Sequence, residues 1–333
     1  MPQLLAGTER GLYRVDLDAT GPSEVHKPIA FDKREVDPIA REAGDSGVLY
    51  ALVDQHELWR SVDQGRFWTK MWEAPRDMRL YTFITHPTKP KVLFAGLEPA
   101  SVWMSDNAGQ SWRELEAIQK VPDKDSWTFF SPRYPHVRAL AVYRGEPELL
   151  SVGIEEGGVY ITEDGGQVFR SRNEGLYRDV HAVHYLPRDP NLLLATTGDG
   201  LYRSSDRGRS WVRITQGITR SYTVPLWIDP LTPHTMLMAA AAAPPPTWER
   251  DTRGADAVIF RSRDEGLTWQ EASKGLASPQ RGMVFCLLGH PDFRSSVYAG
   301  TTDGKIYRSA DHGDRWQLMA DNLPAVYSLV WLC

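Results

Sequence analysis

One eight-residue pattern recurs six times in this chain and limits its fold more than any other feature. Ser/Thr-x-Asp-x-Gly-x-x-Trp appears as SVDQGRFW from Ser61, SDNAGQSW from Ser105, TEDGGQVF from Thr162, SSDRGRSW from Ser204, SRDEGLTW from Ser262 and SADHGDRW from Ser309. Asn107 stands in one Asp place and Phe169 in one Trp place. Six copies are beyond chance, and self-similarity at a regular period marks a fold assembled from like units. Three of the intervals match a four-stranded unit of roughly 40–50 residues, and two are longer. Residues 180–214 show the unit whole: the strand VHAVHYL, the turn PRDPN, the strand LLLATT, a tight GDG loop, the strand LYRSS, then the pattern and WVRI. Inside the pattern the residue types are those of a turn. Asp206 can accept backbone N–H groups, Gly208 can take a positive φ, and Ser204 can cap locally. Trp211 then packs back over the hairpin. A calcium loop is the functional alternative, but one regularly placed carboxylate falls short of the six or more oxygens that calcium takes.

Six units begin near Val36, Tyr81, Val137, Val180, Tyr222 and Val284, and the chain ends on an isolated first strand, VYSLVWL. The N-terminal stretch LLAGTERGLYRVDLDATG resembles VYAGTTDGKIYRSADHG, so it supplies the strands that last unit lacks. The expected fold is therefore all-β: a single seven-bladed β-propeller over 1–333, its last blade closed by N- and C-terminal strands. Closure removes the open sheet edges that invite aggregation. The blades run at about 36–78, 79–118, 136–176, 179–218, 221–277, 282–323, and 324–333 with 3–30. Insertions at 119–135 and 241–257 fall on one face, the top. The repeat resembles the Asp-box (BNR) repeat of bacterial sialidases, sortilin-type receptors, xyloglucanases and photosystem assembly-factor propellers. The match covers nearly the whole chain. It implies the fold and not the function, because that superfamily spans hydrolases, receptors and assembly factors.

Composition narrows the function. A net charge of −5 and a sequence pI near 6.0 argue against a nucleic-acid binder. No run of ~18 apolar residues is present, so no membrane helix is encoded. The start MPQLLAGTERG lacks the basic and apolar regions of a secretory signal, and two cysteines, Cys286 and Cys333, build no disulfide scaffold. The expectation is a cytoplasmic monomer with no cofactor and no metal.

Aligned first strands give an apolar row, Val36, Tyr81, Val137, Val180, Tyr222, Val284 and Val326, that reads as packing. The next row is mixed: Asp37, Thr82, Arg138, His181, Thr223, Phe285 and Tyr327. Since neighbouring strand residues point to opposite sides, the mixed row is expected to face a central channel near its top rim. Asp37, His181 and Tyr327 are the candidate catalytic residues. Arg79, His136, Arg138, Asp179 and Arg281, with Trp127 and Trp248 from the insertions, are the candidate ligand-binding residues. A hydrogen-bonded plug sealing the channel is the alternative reading of the same row. His181 and His184, three apart on a strand, face opposite ways and do not make a zinc pair. His86 and His290 precede proline and read as turn residues, as do Glu155, Glu156, Asp199 and Asp303 in the short loops. Cys286, inside a strand, reads as inert.

The sialidase resemblance would imply three arginines around a carboxylate, for which Arg79, Arg138 and Arg281 are available. The Phe-Arg-Ile-Pro element is absent, so true sialidase activity is not expected. Xyloglucanases use two propellers with a cleft between them, and this chain encodes one. The leading expectation is a propeller that binds a small anionic molecule or peptide at the centre of its top face. The alternative is a glycosidase-like hydrolase or lyase using carboxylate, His and Arg chemistry at the same place.

Overall fold

A computed structural model describes residues 3–16, 23–24, 27–44 and 46–332. The chain is all-β, a seven-bladed propeller, with three short 3-10 helices among the described residues. It divides into two compact units, one of residues 38–197 with 202–213, the other of residues 1–37, 198–201 and 214–333.

In the first unit the sheets follow chain order, each an antiparallel meander. The first sheet is Val36–Arg41, Leu49–Val53, Glu57–Ser61 and Thr69–Glu73, and the second is Arg79–Thr85, Leu93–Glu98, Ser101–Ser105 and Arg113–Glu114. The third is His136–Val142, Leu150–Glu155, Gly158–Thr162 and Arg170–Ser171. The fourth is Val180–Leu186, Asp189–Thr197, Gly200–Ser204 and Val212–Ile214. The second unit carries Tyr222–Ile228, Met236–Ala241, Val258–Ser262 and Gln270–Glu271, then Val284–Gly289, Val297–Thr301, Ile306–Ser309 and Trp316–Asp321. Its last sheet joins both ends of the chain: Val326–Leu332 pairs with Gln3–Thr8, which pairs with Gly11–Asp16.

Beyond Gly11–Asp16 the N-terminal segment adds to that last sheet through a bridge of Ala30 with Leu12, whose N–H donates to the Ala30 carbonyl at 2.9 Å. Ser23–Glu24 instead adds in parallel to the outer edge of Trp316–Asp321, so the sixth sheet has five strands and the seventh three. The expected match through Gly21 runs into residues 17–22, which lie outside the described ones, as does Cys333.

Second strands such as Leu49–Val53 are buried throughout and read as continuous apolar runs, because both faces of each sheet are covered. The core lies between successive sheets. Phe94 and Val102 pack with Val137 and Val152, while Val159 and Ile161 pack with Val183 and Leu193. Glycine permits the tightest approach: a Cβ on Gly153 would lie 2.9 Å from both Ala139 Cβ and Val180 Cγ1.

The repeated turns have the geometry their residues require. Ser204 Oγ donates to Asp206 Oδ1 at 2.8 Å and accepts the Gly208 amide at 2.8 Å, while Asp206 Oδ1 accepts the Ser210 amide at 2.9 Å. Asn107 fills the Asp place with the same acceptor, taking the Ser111 amide at 3.0 Å. Every carboxylate of this kind is consumed by its own turn. The turn reading of His86 and His290 is likewise seen in the geometry: Nδ1 of each accepts two backbone N–H groups downstream.

Candidate active site

Five first strands share one irregularity. The pairing slips between Leu80 and Thr82, Val137 and Ala139, Val180 and Ala182, Val284 and Cys286, and at the residues flanking Tyr327. The extra residues are Tyr81, Arg138, His181, Phe285 and Tyr327. A bulge leaves one residue unpaired and re-aims its side chain. The register corrects the expected alignment in the second sheet. Leu80, fully buried, takes the packing place beside Val137 and Val180, and Tyr81 rather than Thr82 belongs to the mixed row.

In the unit of residues 38–197 and 202–213 the mixed row builds an ionic cluster around Glu155. Arg138 Nη1 donates to Glu155 Oε2 at 2.5 Å, and His136 Nε2 lies 2.9 Å from the same oxygen. The His136 ring is fully buried, stacked on Tyr81 with centroids 3.7 Å apart and met edge-on by Phe129. Its Nδ1 faces the Tyr134 carbonyl at 3.2 Å and Glu98 Oε2 at 3.6 Å. Glu98 also accepts Arg133 Nη2 at 2.6 Å, which ties the insertion loop to the end of the strand Leu93–Glu98. Asp179 Oδ1 lies 3.2 Å from His181 Nε2, and donor atoms of Glu155, Asp179 and His181 all fall within 4.8 Å of one another.

Burial alone would raise the Glu155 carboxyl. The Arg138 charge, the hydrogen bond and charge of His136, and His181 outweigh burial and hold it well below the usual carboxylate range. Glu156, next in the chain, moves the other way, raised by burial and by the Asp179 and Glu155 charges. Its backbone, at φ 58°, makes the tight turn to Gly157, a conformation shared by Gln64, Ala108 and Arg207 in the repeated turns. Reading Glu155 as a turn residue is therefore corrected: it ends the strand Leu150–Glu155 and is the hub of the cluster. Glu98 and Arg133 were not singled out either. The only sequence signal for them was an acidic residue at the second-strand end in two successive units, Glu98 and Glu155.

Of the residues expected from sequence, His136, Arg138, Asp179 and His181 come together here. Asp37 and Tyr327 belong to a group in the other unit. Tyr327 packs edge-on against Phe285, and burial with the charges of Glu9, Glu35 and Asp37 pushes its phenol up to about 12. In the same group, burial raises the Cys286 thiol, in keeping with an inert residue. Trp127 spends its indole N–H on Tyr160 Oη at 2.7 Å, and Trp248 spends its own on the Ala243 carbonyl at 2.6 Å, so each anchors its insertion. Arg281 donates to the Thr252 carbonyl. Arg79 is exposed at the start of its strand. The trio Glu155, Asp179 and His181 is compact enough for a divalent cation, but the Arg138 guanidinium on the same carboxylate opposes one.

The fold and this cluster define the class: a seven-bladed β-propeller with an ionic cluster, rich in carboxylates, built from first-strand residues and second-strand ends of neighbouring blades. No family model matches the chain. It is 22% identical over 258 residues to the oligoxyloglucan-reducing end-specific xyloglucanase of Emericella nidulans, covering 72% of this chain and 30% of that protein. Among solved structures, the GH74 xyloglucanase of Xanthomonas campestris superposes with a TM-score of 0.69 at 16% identity, over 96% of this chain and 52% of that one. YCF48 bound to D1 peptide superposes at 0.58 and 13% identity, over 90% of this chain and 84% of that one. This chain thus spans about half the xyloglucanase structure and under a third of the fungal enzyme, and the structural likenesses bear on fold alone.

Proposed function

We propose that this protein is a glycosidase-like hydrolase whose chemistry lies at Glu155, Glu156 and Asp179. The observation that carries the reading is the gathering of Glu155, Asp179 and His181 donor atoms within 4.8 Å. Two neighbouring carboxyl groups whose proton affinities are pushed in opposite directions are what glycoside hydrolysis uses. In this reading Glu156, raised, donates its proton to the leaving glycosidic oxygen. Asp179 and the ionised Glu155 stabilise the positive charge that builds on the sugar carbon, and water adds to that carbon as its proton passes to the Glu156 carboxylate, which restores the acid. The distant xyloglucanase likeness supports sugar chemistry, and the six repeated turns, five with Asp and one with Asn at the same place, support placing the chain among Asp-box propellers.

The test is turnover of aryl glycosides and xyloglucan oligosaccharides by the full chain. Glu156→Gln and Asp179→Asn should each lower it by about a hundredfold or more, as loss of an acid or base does. Absence of turnover on every sugar, or turnover indifferent to both substitutions, overturns the reading. A second reading, peptide recognition, is favoured by the insertion loop, where Phe130 is 78% and Tyr134 57% exposed beside Arg133. Aromatic and arginine side chains are the usual anchors of such contacts. In that case Phe130→Ala would abolish binding while Glu156→Gln would leave it unchanged.

A further inference from the structure

Away from that cluster, the outer rim where the third and fourth sheets meet gathers four arginines. Arg170 opens the two-residue outermost strand of the third sheet, Arg170–Ser171, and Arg172 directly follows it. The repeated turn of the fourth sheet brings Arg207 and Arg209 beside them. Gly208, between those two, sits so close that a Cβ there would be 3.4 Å from Arg172 Cβ. Trp211 locks the arrangement by donating its indole N–H to the Arg172 carbonyl at 2.8 Å.

Carboxylates offset only part of this charge. Arg207 reaches Glu146 at 3.0 Å and Glu163 at 3.5 Å, and Arg172 shares Glu163 at 3.7 Å. Asp206 is spent on its own turn. Among the described residues no carboxylate lies within ion-pair distance of Arg170 or Arg209, both exposed, and the Arg172 Nε is buried with no hydrogen-bond partner. The crowding registers on Arg172, whose guanidinium is pulled down by burial and by the Arg209 and Arg170 charges. Like charges held together by a rigid turn cost stability unless something anionic joins them.

We propose that Arg170, Arg172 and Arg209 form a binding site for a tetrahedral oxyanion, a phosphate or sulfate group. Donors arriving from two separate segments suit a tetrahedral anion, whose oxygens point several ways, better than one planar carboxylate. The acidic balance of the whole chain argues against a nucleic-acid backbone as the source.

The experiment titrates the full chain with sodium sulfate and with sodium phosphate against sodium chloride at matched ionic strength, reading the melting temperature. Either oxyanion should raise it beyond chloride, by roughly 2 °C at ten times the dissociation constant. The double variant Arg170→Gln/Arg209→Gln should lose at least about tenfold in sulfate affinity. It should also melt no lower than the parent at low salt, since it removes repulsion. Arg76→Gln, a 96%-exposed arginine elsewhere, should keep the full response. A response no greater than that of chloride, or one that survives in the double variant, overturns the proposal. Sulfate and phosphate acting alike leaves a shared oxyanion site, and a response to phosphate alone narrows it to phosphoryl ligands.

Discussion

Arg138 and Glu155 decide what the cluster can do, because each is mostly out of water and each is satisfied by the other. Arg138→Ala leaves the Glu155 carboxylate with only the two imidazoles, His136 in hydrogen-bond contact and His181 nearby, against it. Breaking a largely buried pair by removing one partner typically costs about 3–5 kcal/mol, and the partial exposure of both side chains reduces that to about 2–3 here. The urea midpoint of the variant should fall accordingly, and Glu155→Gln in the same chain should recover part of the loss. A variant as stable as the parent would mean that the pair is not a structural anchor. Sequence alone singled out His136, Arg138, Asp179 and His181, because polar residues in a row of otherwise packed strands are conspicuous. It passed over Glu155, since Glu-Glu-Gly-Gly is what a turn looks like. It misplaced Tyr81, since a bulge shifts register by one residue without any mark in the sequence.

Elements were far more legible, because each turn is specified by side chains within eight residues of one another. The tryptophan that ends the pattern does more than the sequence shows. Trp68, Trp112 and Trp269 donate their indole N–H to a carbonyl within their own turn, at 3.1 Å in each case. Trp211 and Trp316 instead reach back to the carbonyls of Arg172 and Ala272, each just past the outermost strand of the preceding sheet, at 2.8 and 2.7 Å. These two therefore carry hydrogen bonds between successive blades, whereas the indole bonds of the others stay within single hairpins, even where the ring of Trp112 stacks on Trp72 of the preceding sheet with centroids 4.4 Å apart. Trp211→Phe, which keeps the ring and removes the donor, should cost about 1–2 kcal/mol by leaving the Arg172 carbonyl without its partner. Trp112→Phe, which keeps a ring against Trp72 and removes only a half-buried bond within its own turn, should cost less, about 0.5–1 kcal/mol. Equal losses in chemical denaturation would show that the inter-blade bond carries no particular stability. The parallel addition of Ser23–Glu24 to Trp316–Asp321 had no comparable signature, since two residues joining a distant strand leave no periodic pattern.

Across the molecule, acid acts first through histidines that the fold keeps neutral. Burial pushes His184 down to about 4, and also lowers His86 and His290 from their ordinary 6.5. In the last two, Nδ1 must stay unprotonated to accept the turn amides, a role that Asp229 fills in the fifth sheet with a carboxylate. For a histidine so depressed the unfolded chain takes up its proton first. The stabilising contribution is thus complete above about 6.5 and is lost as the pH falls from there toward the folded value. His184 alone should account for on the order of 1–2 kcal/mol between pH 7 and pH 5. The Glu155 contribution has the opposite charge type and a lower window, intact above the ordinary carboxylate value of 4.5 and lost only below it. Denaturant midpoints measured from pH 7.5 to pH 3.5 should then fall in two stages, the upper one from histidine and the lower from carboxylate. His184→Gln should flatten the upper stage while sparing the lower, and Arg138→Ala should do the reverse. A profile flat from pH 7 to pH 5 would mean that these imidazoles gain protons in the fold as readily as in the unfolded chain.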